Sequence, residues 1–220
     1  SRDIAIAKEF GFVGEIFPPF PVTGGYELSV QKSDSPKTPP SARKVILVKG
    51  HTRFVGRGLI ALDAIKKVAD LLVDYEVIVY SADPQAIRRV QKLVKDTQLN
   101  VRSFKRGELS HHELLSFFKS ARIYIGISLS DGISVSLQEA MVCGSFPIQT
   151  NTSCADEWIV DGKSGFIVDP YNPALIVSAL RKALENDALV DAASKINLDT
   201  AQQRLSTSAV SESIRGFYLA

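Results

Sequence analysis

The amino-acid sequence predicts an α/β domain built on a doubly wound, Rossmann-like parallel sheet. Two observations carry that expectation. From residue 43 onward, short runs of β-branched and other apolar residues alternate with longer stretches of helical period. Parallel strands also need a crossover of a dozen or more residues, usually a helix, and this spacing supplies it.

The elements follow in order. A first strand is expected at residues 44–48 and a helix over 59–73. A second strand at 76–80 leads to Asp83-Pro84, a short acceptor before a proline, which opens a helix to about residue 96. A third strand at 101–104 precedes Ser110 with Glu113 three residues on, the spacing of a capping box. A fourth strand at 123–127, a helix over 135–143 and a fifth strand at 146–149 come next. A sixth strand at 165–168 leads into a helix over 173–184, with Trp158 expected to pack a helix after the fifth strand. A last amphipathic stretch, 208–220, ends in Phe217, Tyr218 and Leu219.

Ahead of this core, residues 3–10 place Ile4, Ala7 and Phe10 on one helical side. Pro18-Pro19-Phe20-Pro21, Gly24-Gly25 and the serine- and proline-rich residues 31–43 read as a linker.

Composition narrows the function. A net charge of +2 argues against a general nucleic-acid binder, so a few local cations must do any anion binding. Cys143 and Cys154 form no disulfide framework and suit a reducing compartment. No apolar run reaches bilayer length and no leader pattern opens the sequence, so the expected location is the cytoplasm. His111 and His112 are adjacent and the cysteines are not spaced as ligand pairs, so no metal site is expected. The Lys66-Lys67 and Arg88-Arg89 pairs read as solvated helix faces, with peripheral membrane contact as a lesser alternative.

Two loops carry candidate chemistry. The first strand runs into Lys49-Gly50-His51-Thr52-Arg53-Phe54-Val55-Gly56-Arg57-Gly58 just before a helix. Glycines let amides approach an anion, the helix start adds partial positive charge, and Arg53 and Arg57 add full charges. The glycine spacing matches neither the dinucleotide fingerprint nor the P-loop, and a flexible loop with solvated arginines is the plainer alternative. After the fourth strand, Asp131-Gly132 stands at the mouth of the sheet, and Glu139 follows on the next helix. Glu139 reads either as an acceptor for a ribose diol or as a surface glutamate favouring the first half of its helix.

Asp131, then seven residues, then Glu139-Ala140-Met141, with Gly144 and Phe146-Pro147-Ile148, forms a recognisable order. It continues through Asn151-Thr152-Ser153, Glu157-Trp158-Ile159, Asp161-Gly162 and Gly165-Phe166-Ile167-Val168, with Gly56-Arg57-Gly58 upstream. Over roughly residues 43–190 the chain resembles the C-terminal, donor-binding domain of retaining GT-B glycosyltransferases of family four.

The resemblance implies a nucleoside diphosphate sugar as donor, no cofactor, and a glycan or glycolipid acceptor. Arg57, with Arg53 and the amides of Gly50 and Gly56, would hold the diphosphate, and Glu139 the ribose. Asp131 would meet donor-sugar hydroxyls, with the amides of Gly132, Ile133 and Ser134 on sugar or phosphate. Asp131 and Arg57 are the implied catalytic residues, and Phe104 and Lys105 would face the base. Transfer would retain configuration, the leaving phosphate helping to deprotonate the acceptor on the same face.

Residues 1–42 would be the remnant of an N-terminal domain and linker, 43–200 the donor domain, and 201–220 a helix crossing back. On that division the acceptor lies on a missing N-terminal domain, and this chain alone would bind donor without transferring sugar. Asp131 replaces the usual glutamate and Gly50-His51 the usual Gly-Arg. A non-transferring enzyme such as a nucleotide-sugar epimerase, or a silent binding module, stays open on these residues.

Overall fold

A computed structural model describes residues 2–17, 23–28, 38–132, 134–152 and 154–219. Its core is a six-stranded sheet, all neighbours parallel, in the order β3-β2-β1-β4-β5-β6. The strands are β1 (Val45–Lys49), β2 (Glu76–Ala82), β3 (Asn100–Lys105), β4 (Ala121–Gly126), β5 (Phe146–Thr150) and β6 (Phe166–Val168). The helices are α1 (Arg2–Glu9), α2 (Gly58–Lys67), α3 (Pro84–Thr97), α4 (His111–Ser120), α5 (Val135–Val142), α6 (Pro173–Glu185), α7 (Asp187–Arg204) and α8 (Thr207–Leu219).

Local chemistry explains the helix starts. Asp83 accepts the amides of Gln85 and Ala86 with Pro84 at the first helical position. Ser110 and Glu113 make both bonds of the capping box. Ser134 caps α5, while Asn172 and Asn186 cap α6 and α7.

Alternation along each strand sends side chains to two layers. Ile46 and Val48 of β1 pack with Val77 and Val79 beneath α2, α3 and α6. Leu47, Ile78, Tyr80 and Tyr124 face the other way, against Phe118 of α4 and Ala140 of α5. A third cluster joins Leu137 and Met141 of α5 to Ala155, Trp158, Ala201 and Leu205.

Two expectations need correction, and one helix was not expected. The helix over 59–73 ends at Lys67, and a 3-10 turn at Ala69–Leu71 follows. Among the described residues between β5 and β6, a 3-10 turn at Ala155–Glu157 stands in place of an α-helix, and the Arg204 guanidinium lies over Trp158, 3.9 Å from the ring centroid. The eighteen-residue helix α7 was not anticipated. The expected linker falls largely on residues 18–22 and 29–37, outside the described residues. The chain's apolar end meets residues near its start: Phe217 lies 5.1 Å from Phe17 between ring centroids, and Tyr26 exchanges backbone bonds with Leu205 and Thr207. Among the described residues no helix is long and apolar enough to cross a membrane.

Two buried arginines fasten the amino-terminal edge of the sheet. Arg122 of β4 donates to the carbonyls of Ser41, Ala183 and Leu184, and pairs with Asp187 at 2.7 Å. Arg43 donates to the carbonyls of Thr38, Ala121 and Cys143. Burial pushes its guanidinium down to about 10, and Cys143 and Asp191 oppose that, so it stays charged at neutral pH. Replacing Arg122 strands three carbonyls, each worth about 1 kcal/mol or more once dehydrated. Arg122→Ala is therefore expected to lower unfolding stability by about 3 kcal/mol, read as a fall in the urea midpoint. A change below about 0.5 kcal/mol would show these bonds to be incidental.

Candidate functional site

The cleft opens at the carboxyl ends of β1 and β4, where the strand order reverses and α2 and α5 leave to opposite faces. Lys49, His51, Gly56, Ile127, Ser128 and Asp131 are among the residues lining a small cavity there of about 150 Å³.

The glycine loop is tied down at several points. The Gly50 amide donates to Tyr80 O at 2.8 Å and the Gly56 amide to Arg53 O at 2.9 Å. Arg57 N donates to Ile127 O and Leu129 N to Val55 O, stitching the loops after β1 and β4 together. A Cβ on Gly56 would collide with the His51 carbonyl, so only glycine permits this approach. Thr52 is held by Asp83, its amide donating to Oδ2 at 2.9 Å and its hydroxyl to the same oxygen.

This folding-back changes one expectation. The amides of Gly50 and Gly56 are already engaged inside the protein, so in this conformation the loop offers side chains and not those two donors. Arg53 is exposed. Arg57 is half-buried, its Nη1 donating to the neutral carbonyls of Gly56 at 2.9 Å and Phe54 at 3.4 Å. Phe54 stands at the tip, 92% exposed, with φ of 52°.

On the β4 side, Asp131 Oδ2 accepts from Lys49 Nζ at 3.3 Å. Gly132 is exposed, Ser134 is buried as the α5 cap, and Ile133 lies outside the described residues. Glu139, 4% exposed, meets His111 Nε2 at 2.8 Å through Oε1. Burial pushes its carboxyl above the ordinary range, while His111 and the nearby Lys49 charge pull it back. It is no surface glutamate.

At the start of α4 the structure brings His111 to Glu139. Phe104 packs on Phe117 with ring centroids 5.7 Å apart, and exposed Lys105 donates its amide to Glu108. Of the lysine and arginine pairs, Lys66 bonds Asp96 and Arg89 bonds Asp63. Among the described residues no group of three or more His, Cys, Asp or Glu is placed to hold a metal ion.

Sequence reasoning missed Lys49 and His111 as site residues. Both carried signals: Lys49 is two positions beyond Leu47 and so shares its face, and Ser110 as cap sets His111 at the first helical position.

The family described as glycosyl transferases group 1 matches residues 30–198. The chain belongs to that family. An uncharacterized glycosyltransferase of Methanocaldococcus jannaschii is 28% identical over 129 residues, which make up 57% of this chain and 33% of that protein. Sucrose-phosphate synthase from Thermosynechococcus elongatus shares the fold with a TM-score of 0.71 at 18% identity, over 99% of this chain and 55% of the other. The Anabaena protein HepE, solved in complex with UDP-glucose, has a TM-score of 0.68 at 12% identity, over 89% of this chain and 56% of its own. The chain thus spans between a third and just over half of the length of these proteins. Its fold is the Rossmann-like α/β arrangement of GT-B glycosyltransferases.

The Asp83 clamp on this glycosyltransferase loop is testable. Burial alone would raise the Asp83 carboxyl, but bonds from Thr52, Ala86 and Gln85 hold it below the ordinary Asp range. A depressed carboxyl stabilises the fold at pH above its unfolded value and loses that contribution as pH falls through its folded value. Asp83→Ala should therefore cost about 1 kcal/mol at neutral pH and speed exchange of the Thr52 amide. The stability gap from wild type should close as pH drops below about 4. An unchanged Thr52 exchange rate would exclude the clamp.

Proposed function

We propose that this cleft binds a nucleoside diphosphate sugar and that the protein transfers the sugar, with retention, to a hydroxyl of a glycan or glycolipid. One observation carries the reading: the basic glycine loop and the Asp131 loop are bonded to each other across the switch point, with buried Glu139 on the helix that follows. Family membership and the UDP-glucose complex of HepE support the donor class.

Each group has a role matched to its chemistry. Arg57 exchanges two neutral carbonyls of its own loop for diphosphate oxygens, trading ordinary bonds for charge-assisted ones. Exposed Arg53 adds a second charge. Glu139, an acceptor in a dehydrated setting, takes the ribose hydroxyls beside His111. Asp131 takes a donor-sugar hydroxyl. As the bond to the anomeric carbon breaks, negative charge grows on the diphosphate, and these fixed cations with the start of α2 stabilise it. A leaving-phosphate oxygen then receives the acceptor's proton on the same face, which returns the original configuration.

Arg57→Ala should weaken UDP about ten- to a hundredfold in calorimetry while leaving uridine nearly unchanged, with the guanosine pair run alongside. Equal losses for nucleotide and nucleoside would remove Arg57 from the phosphate. Glu139→Gln should weaken ribonucleotides more than their 2′-deoxy counterparts; equal losses would make Glu139 structural.

A further inference from the structure

Lys49 sits where a strand of this kind has no structural need of a charge. It ends β1, whose preceding residues Ile46, Leu47 and Val48 are fully buried, and an apolar residue would continue the pattern without dehydrating an ammonium group. Its parity turns it toward the layer containing α5, into the cleft. There Nζ meets Asp131 Oδ2 at 3.3 Å, with the two side chains 29% and 30% exposed.

Asp131 needs such a partner. Its neighbours Ser130 and Gly132 are exposed, and a Cβ on Gly132 would meet nothing within 4 Å. Among the described residues, Lys49 is the side chain that hydrogen-bonds the Asp131 carboxylate. Without it, a short carboxylate on an open loop has little to fix its direction.

The cleft's charge gives a second reason. Asp131 and Glu139 are both acidic, and a diphosphate adds further negative charge beside them. Burial works against the Lys49 charge, but Tyr124, Asp131 and Glu139 outweigh it, so its ammonium stays protonated above the ordinary range.

We propose that Lys49 is the positioning residue for Asp131, aiming its carboxylate at the donor sugar and offsetting its charge in a cleft that admits a diphosphate. The sugar-facing group is then the Lys49–Asp131 pair, acting as a unit. This rests on the donor-site reading above and goes further, because it assigns sugar recognition to a residue outside the basic loop's arginines.

The test separates sugar from phosphate. Wild type, Lys49→Met, Lys49→Arg, Asp131→Asn and the double variant Lys49→Met/Asp131→Asn are titrated with UDP and UDP-glucose, and with GDP and GDP-mannose. Methionine keeps the length without the charge, arginine keeps the charge, and circular dichroism checks that each variant is folded. In whichever pair wild type binds, Lys49→Met should weaken the sugar nucleotide about tenfold and the bare nucleotide less than about twofold. Lys49→Arg should recover part of the loss. On the Asp131→Asn background, Lys49→Met should have little further effect, as expected of two groups acting together.

Equal losses for nucleotide and sugar nucleotide would put Lys49 on the phosphate and overturn the proposal. Additive losses in the double variant, or unchanged binding in Lys49→Met, would overturn it too. If wild type binds neither pair, the donor-site reading itself fails and takes this proposal with it.

Discussion

The parallel pairing of β1 with β4 is the constraint on which the site depends. These strands are adjacent, with Leu47 opposite Tyr124 and Val48 opposite Ile125, yet the helices that follow them leave to opposite layers. A crevice at their carboxyl ends results, because neither helix covers it. Two loops far apart in the chain then meet, and the bonds from Arg57 N to Ile127 O and Leu129 N to Val55 O make one surface of them.

The two edges of the sheet use positive charge in opposite ways. At the amino-terminal edge, Arg43 and Arg122 are buried and spend their donors on backbone carbonyls at strand, helix and turn ends. Those bonds satisfy acceptors that would otherwise be dehydrated without partners. At the carboxyl-terminal edge, Arg53 and Arg57 are exposed or half-buried, and Lys49 lines the cleft. At this edge the charges stay near solvent, Arg53 exposed and Lys49 paired with Asp131 across the cleft.

Most elements were legible because their signals are local. The buried β-branched runs of β1, β2 and β4, the Asp83-Pro84 start of α3 and the Ser110/Glu113 box all depend on neighbours within a few residues. Helix α7 was not, and its composition explains why. Val190 is the one large apolar residue it buries; the others, Ala193, Ser194, Asn197 and Ala201, are small or polar and do not make a continuous apolar stripe. Asn197 is buried to donate to Ser164 O, and Asp191 is held by Ser41. Such a helix is defined by what packs against it, which no window of its own sequence contains.

The same division holds in the site. Sequence order alone determined the alternating α/β pattern, the basic glycine loop and the spacing of Asp131 from Glu139, since each is a property of neighbouring residues. Tertiary structure decided which donors remain free, by committing the Gly50 and Gly56 amides inward. It also decided the partners of the two acids: Lys49 lies 82 residues from Asp131, and His111 lies 28 from Glu139. Those contacts arise from strand order and side-chain parity, which bring distant residues to one point only after the sheet has closed around them.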